Sequence, residues 1–420
     1  MKSFKSCHTF LMIMILSIPQ ISSCKPPGSA PGPEPPAAMS GRQHPSGQGV
    51  SFALSLYRHM GEKDANRVLS PLSISTALAM VYEGARGDTA KEMAQALWPQ
   101  KGERASFSRE NHRSMLQEIS DMNRADGITL LMASRIWPQK GYPLLPAYLE
   151  SLKKYHFSEI SPIDFTAKAI AAKTINAWVK KKTARQISHL IAPEMLKPST
   201  RMVLTNAVYF KGEWAMPFDP AQTRTEPFIT AEGKKVAVFM MSREGRFNYM
   251  ENEALQALEI PYAGNAVSMI LLLPKDRNTL SALEAELSQE MIQTLFAQME
   301  SRSVSVSMPR FQIGSSFDLS QPLTSLGMVA AFSRHADFSG MDGAQNLFLS
   351  AVLHKARIEV NEKGAEAAAA TAVIVFEKTA FDRTPVFRAD HPFLFMIREN
   401  KRGELLFLGR VMDPNGEQPL

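Results

Sequence analysis

Residues Glu362 to Thr371 read EKGAEAAAAT, one glycine and a run of four alanines with almost no side-chain bulk. They stand between two strand-like runs, LSAVLHKARIEV (Leu349–Val360) and FLFMI (Phe393–Ile397). Alanine favours helix locally. A short alanine helix is marginal in water, though, and this one has no apolar stripe to bury. The residues that follow, TAVIVF (Thr371–Phe376), are β-prone. Such a segment could be exposed in one state and become a strand in another. Small side chains can slip between existing strands without overpacking, and Gly364 supplies a pivot with free φ and ψ. On that strand, period 2 turns Glu366 outward together with Ala368, Ala370, Ala372 and Ile374. Ala365, Ala367, Ala369, Thr371, Val373 and Val375 then face the core.

A chain of 420 residues exceeds the ~250–300 at which one core usually stops growing, so two sub-cores or two domains are expected. With 45% hydrophobic and 21% charged residues it is globular. The net charge of +6 is too weak to argue for nucleic acid or membrane-surface binding. Lys2 and Lys5 precede the apolar run Phe10–Leu16, which is too short to span a bilayer and fits the centre of a signal peptide. The run ends in Ile21-Ser22-Ser23-Cys24, which resembles a bacterial lipobox with Cys24 as the lipidated mature N-terminus. Cleavage near Ser23 with an incidental cysteine is the alternative. Residues 1–23 therefore read as a signal peptide and 24–47 as a Pro/Gly-rich tether. Residues 48–414 read as the folded domain and 415–420 as a tail. Cys7 and Cys24 are the only cysteines, so the mature chain has no internal disulfide, and no Asn-x-Ser/Thr sequon occurs.

Helices are expected first. Phe52, Leu56 and Met60 recur at helical spacing. Ser70 caps a helix that begins at Pro71, and further helices are expected over 106–122 and 171–191. Strands are expected over 130–136, 203–210, 258–261, 267–273 and 304–308. Helices crowding the first half and strands the second argue for α+β rather than βαβ repetition. There is no GxSxG elbow, HExxH, P-loop or CxxC, the nine histidines are scattered, and nothing supports an enzyme, a metal or a cofactor.

The hinge-like run Glu362–Thr371 resembles the reactive-loop hinge of the serpins, suicide inhibitors of proteases. Four further blocks carry the resemblance in the right order: Asn66–Met93, Thr205–Phe218, Met308–Met328 and FRADHPFLFMI (Phe387–Ile397). The resemblance implies an α+β serpin fold of three β-sheets and eight or nine helices, with an exposed reactive loop at about 362–388. It implies a hinge at Glu362, Gly364, Ala365, Glu366, Ala367, Ala368, Ala369, Ala370 and Thr371. Ala365 stands where inhibitory members more often carry Thr or Ser. Ser70, Ser73, Asn206 and His354 match a buried polar cluster beneath the central sheet, where two strands must part. Taken singly, each would read as a helix cap or a satisfied core residue. Trp214, Arg310 and Glu362 match the top of that sheet, where insertion begins, with arginine in place of the commoner lysine.

Counting sixteen residues on from Glu362 puts the scissile bond at Lys378-Thr379, with Arg383 the runner-up. Lysine there suits trypsin-like serine proteases with an acidic specificity pocket. A new central strand would add roughly twenty backbone hydrogen bonds, about 10–30 kcal/mol. The implied protein is a monomer, lipid-anchored in the cell envelope, or extracellular if the lipobox is unused. A non-inhibitory carrier or chaperone and a surface-binding lipoprotein are the alternatives. Arg104, Arg109, His112 and Arg113 lie where some family members bind sulfated polysaccharides, and Lys180–Lys182 form another small patch, but charge runs of this kind read first as solvated faces rather than polysaccharide sites.

Overall fold

The apolar spacing in VSFALSLYR forms α1 (Val50–Arg58), which buries Phe52 and Leu56, with Met60 buried just beyond its end. The computed structural model describes residues 49–60, 65–99, 108–122, 127–363 and 384–416, all within one unit, Arg42–Leu420. Helix α2 (Pro71–Tyr82) starts as its sequence demands. Pro71 occupies the first turn, and the Ser70 side chain accepts the Ser73 N–H. Then come α3 (Gly87–Leu97), α4 (Arg109–Met122), α5 (Pro146–His156) and α6 (Lys168–Lys182). The second half adds α7 (Leu280–Glu286), α8 (Gln289–Gln298) and the short α9 (Ser320–Ser325) and α10 (Ser339–Asp342), making ten α-helices among the described residues.

Helix α6 stops nine residues short of the expected end at Ile191. The Thr183 hydroxyl donates to the Val179 carbonyl and accepts the Ile187 N–H, which closes the helix. Ala184 and Arg185 then turn the chain through φ 47° and 68°, a left-handed step that a helix cannot carry on through.

Thirteen strands are described, in two hydrogen-bonded sheets. The first has the order β2-β3-β10-β9, from β2 (Ile128–Pro138), β3 (Met202–Gly212), β9 (Phe311–Asp318) and β10 (Leu349–Val360). The second has nine strands. One lobe joins β1 (Arg67–Leu69), β13 (Leu405–Val411), β12 (Phe393–Glu399), β7 (Val267–Pro274) and β6 (Leu255–Pro261). The other joins β4 (Arg224–Ile229), β8 (Glu300–Pro309) and β11 (Val386–Arg388). Strand β5 (Lys235–Glu251) serves both lobes. Its start pairs β4, its middle pairs β8 and its last residues pair β6. The second and third sheets of the expected fold are thus one continuous ladder, because β5 is long enough to leave one lobe and enter the other.

Apolar side chains divide into three buried clusters. The largest gathers α1, α2, α3 and α8 with one face of the nine-stranded sheet. A second joins the other face of that sheet to the upper parts of β3 and β10. In the third, Ala171, Ala172, Ile175 and Val179 of α6 lie on Ala133 and Trp137 of β2 and on Val203 and Ala207 of β3.

Candidate functional site

Strands β3 and β10 are neighbours and run parallel, from Leu349↔Met202 to Glu359↔Lys211. Both outer pairs of the sheet, β2–β3 and β10–β9, are antiparallel. The one parallel seam therefore sits in the middle of the sheet, and parallel pairing is slightly the weaker per residue. Nearly every residue of both strands is buried.

A polar cluster lies on this seam. His354 and Asn206 face each other in register and are 0% and 1% exposed. His354 Nε2 accepts the Ser70 backbone N–H at 3.2 Å. His354 Nδ1 therefore carries the proton and donates it to Asn206 Oδ1 at 2.6 Å. The Asn206 amide donates onward to Ser73 Oγ at 2.6 Å, the Ser73 carbonyl at 3.0 Å and Ser134 Oγ at 2.7 Å. Burial pushes the His354 pKa down to about 3, so the ring is neutral. Ser70, Ser73, Asn206 and His354 are thus brought together. They link the start of α2 to both seam strands, with every bond satisfied inside the cluster.

The C-terminal ends of the two strands carry a second set of contacts. Lys211 and Glu359 pair across the seam at 2.9 Å, and Tyr209 Oη reaches the same carboxylate at 3.4 Å. Beyond β10, the Trp214 indole N–H donates to the Asn361 carbonyl at 2.8 Å. The Trp214 and Phe218 backbone N–H groups donate to the Lys363 and Glu362 carbonyls at 3.3 and 2.9 Å. Trp214 stacks on Tyr262 at 4.5 Å. Gly212 makes that packing possible, since a Cβ there would come within 2.6 Å of the Tyr262 ring.

Glu362 is 4% exposed. Arg310 pairs with its carboxylate, and Thr223 Oγ1 donates to it at 2.5 Å. Burial pushes this carboxyl up, but the Arg310 and Thr223 hydrogen bonds outweigh burial and hold it below the usual carboxylate range. Trp214, Arg310 and Glu362 therefore meet at one end of the seam, and they pin the chain at the point where it leaves β10.

Sequence reasoning missed Ser134, Lys211, Thr223 and Glu359. No local signal marks Lys211 and Glu359, since Glu359 stands among Lys355, Arg357 and Glu362, and only the parallel register pairs them. The hinge residues from Gly364 to Thr371, the bond Lys378-Thr379, Arg383 and Cys24 lie outside the described residues.

Of the basic set on α4, Arg109 and Arg113 are exposed but engaged, and His112 is buried. Arg109 Nε donates to Glu83 at 3.0 Å, and the Arg113 guanidinium lies 5.6 Å from the centre of the Phe157 ring. His112 is buried against His156, with ring centres 4.7 Å apart. Burial and His156 push its pKa down to about 3. Arg104 lies outside the described residues. Among the described residues no group of three His, Cys, Asp or Glu could hold a metal, and no helix is long and apolar enough to cross a membrane.

Residues 48–414 match the family model for the serpins (serine protease inhibitors). The chain is 39% identical to an uncharacterized serpin-like protein of Thermococcus kodakarensis, over 87% of its own length and 84% of that protein's. It is also 39% identical to the leukocyte elastase inhibitor of Bos taurus, over 88% of its length and 99% of that protein's. The solved structure of uncleaved ovalbumin superposes with a TM-score of 0.79 at 29% identity, covering 89% of this chain and all of that one. With two sheets, a parallel central seam and these relatives, the chain belongs to the serpin family.

Proposed function

We propose that this chain inhibits trypsin-like serine proteases by acting as a suicide substrate, with the segment after Glu362 entering the seam between β3 and β10. The topology of the four-stranded sheet carries this reading. A strand that turns back from the end of β10 runs antiparallel to β10, and therefore antiparallel to β3 as well. Inserting it converts the one parallel pair into two antiparallel pairs and makes the whole sheet antiparallel.

Insertion has a cost that sequence counting leaves out. The new strand brings roughly twenty backbone hydrogen bonds, but about ten are surrendered from the existing ladder. The net of about ten corresponds to about 5–15 kcal/mol, comparable to the whole stability of an ordinary domain. The uncleaved form is then metastable and kinetically held. The seam contacts supply the hold: the neutral His354–Asn206 bond, the Lys211–Glu359 pair and the Trp214 contacts must all be exchanged. Polar contacts can re-form in a second arrangement, whereas an interlocked apolar seam resists opening.

In this reading the protease attacks the carbonyl of Lys378 and forms an acyl-enzyme. Thr379 becomes the new N-terminus of the downstream fragment. Insertion then carries the acyl-linked protease away and distorts its active site before water can release it. Loop, hinge and bait positions rest on the family resemblance and the counting from Glu362. Export and anchoring through Cys24 belong to the same proposal and rest on the lipobox-like ISSC. The test is to mix the protein with trypsin and run a denaturing gel. A band near the summed mass is expected. Loop cleavage without that band would favour a non-inhibitory carrier, and neither product would favour a surface-binding protein.

A further inference from the structure

Between residues 165 and 201 the chain carries eight Lys and Arg against a single acid, Glu194, a net charge of +7. The whole chain carries +6, so everything else sums to −1. All of the net positive charge is thus held by α6 and the turns that follow it. Helix α6 contains five lysines and no acid. Its buried side, Ala171, Ala172, Ile175 and Val179, is spent on the sheet. The opposite side exposes Ile170, Lys173, Ala177, Lys180 and Lys181, a stripe at helical spacing. None of those three lysines takes part in an ion pair among the described residues.

Lysines in the last turn of a helix are commonly explained by its dipole. That accounts for Lys180–Lys182 but not for Lys173, for Lys197 beyond the helix, or for the apolar side chains set among them. Ile170 is 69% exposed and Met195, on the Pro193–Met195 turn packed beside α6, is 41% exposed.

We propose that this face of α6 docks on an anionic phospholipid surface. Charge complementarity selects a polyanion, and the details select lipid. The outer stripe holds lysines, compact point charges, rather than the arginine forks that grip sulfate or phosphate bidentately. It has no exposed aromatic ring on which a base could stack. Ile170 and Met195 gain nothing from a sugar chain, but they can enter the boundary between headgroups and acyl chains. Ala177 lets that surface approach closely. The biological setting rests on the reading that Cys24 anchors the chain at a membrane, whereas the binding itself needs no anchor.

The test uses the full mature chain with Cys24→Ser, so that no acyl group contributes. It is incubated with phosphatidylcholine vesicles with and without about 30% phosphatidylglycerol, and binding is read by flotation. Binding is expected only to the anionic vesicles, and it should be lost at about 0.5 M salt. The triple change Lys173→Gln, Lys180→Gln and Lys181→Gln should weaken partitioning about 100-fold. Ile170→Ser should weaken it several-fold at low salt, where the charges still hold the protein to the vesicle. Retained trypsin cleavage at the loop and an unchanged circular dichroism spectrum show that the variants are folded. No binding to anionic vesicles, or equal binding of the triple variant, overturns the proposal. So does tighter binding to heparin than to vesicles with Ile170→Ser without effect, which would assign the face to a polysaccharide. An unmodified Cys24 in the native protein would remove the anchor and leave this result standing.

Discussion

At the scale of single residues, the bait position and the buried titratable groups make separate predictions. Lys378→Ala should slow trypsin inhibition at least about 100-fold, about 2.7 kcal/mol in the transition state. Lys378→Arg should keep it, and Arg383→Ala should matter little. N-terminal sequencing of the fragment released by trypsin should begin at Thr379; a start at Thr384 would transfer the bait to Arg383. His354 makes a pH prediction. Its pKa falls from 6.5 to about 3 on folding, so between those values the unfolded chain binds a proton that the native chain does not. Stability is therefore complete above about pH 6.5 and declines as the pH falls through that window. His112 adds a decline of the same sign. Glu362 acts lower: its contribution is present above its unfolded value of about 4.3 and is lost as the pH falls through its depressed native value. His354→Gln keeps an acceptor and a donor but cannot titrate. It should remove about half of the fall in urea midpoint between pH 6.5 and 5, and an unchanged slope would show that His354 does not carry it.

At the scale of elements, the proposed strand entry makes its own predictions. Ala367→Pro removes a ladder donor from a central strand, and Ala369→Glu puts a charge on its core face. Either should turn inhibitor into substrate, so that the gel shows loop cleavage without the covalent band; a variant that still traps trypsin at the wild-type ratio would refute strand entry. Much of this scale was legible. The run Leu349–Val360 is a strand over its whole expected length, because it opens on apolar residues, then alternates Ala356, Ile358 and Val360 with Lys355, Arg357 and Glu359, and holds no Gly or Pro. Ser70-Pro71 announced α2 because a cap and a first-turn proline are local signals. Helix α6 was overextended because its apolar spacing persists past Lys182, while the stop is made by the Thr183 hydroxyl and two left-handed residues. The Lys211–Glu359 pair was invisible, since 148 residues separate its partners and only the parallel register joins them. The four cluster residues were legible through resemblance alone, for a lone serine or histidine carries no mark of burial.

At the scale of the whole molecule, the proposed export signal and the proposed conformational change can be tested separately from the folded domain. Mass spectrometry of the native N-terminus should find a lipid-modified Cys24, and deleting residues 1–45 should leave trypsin inhibition intact. Loop cleavage should raise the melting temperature markedly, because the net of about ten hydrogen bonds is gained only after the loop is free to enter. The central claim is that residues beyond Glu362 become a strand between β3 and β10, and a structure of the loop-cleaved protein tests it most directly. Asn206 and His354 are now opposite one another on adjacent strands, a separation of about 4.8 Å. After cleavage they should stand about 9.6 Å apart, two strand spacings, with the alanines of the hinge between them and antiparallel to both. A cleaved protein in which Asn206 still faces His354 across a single parallel ladder would contradict the account.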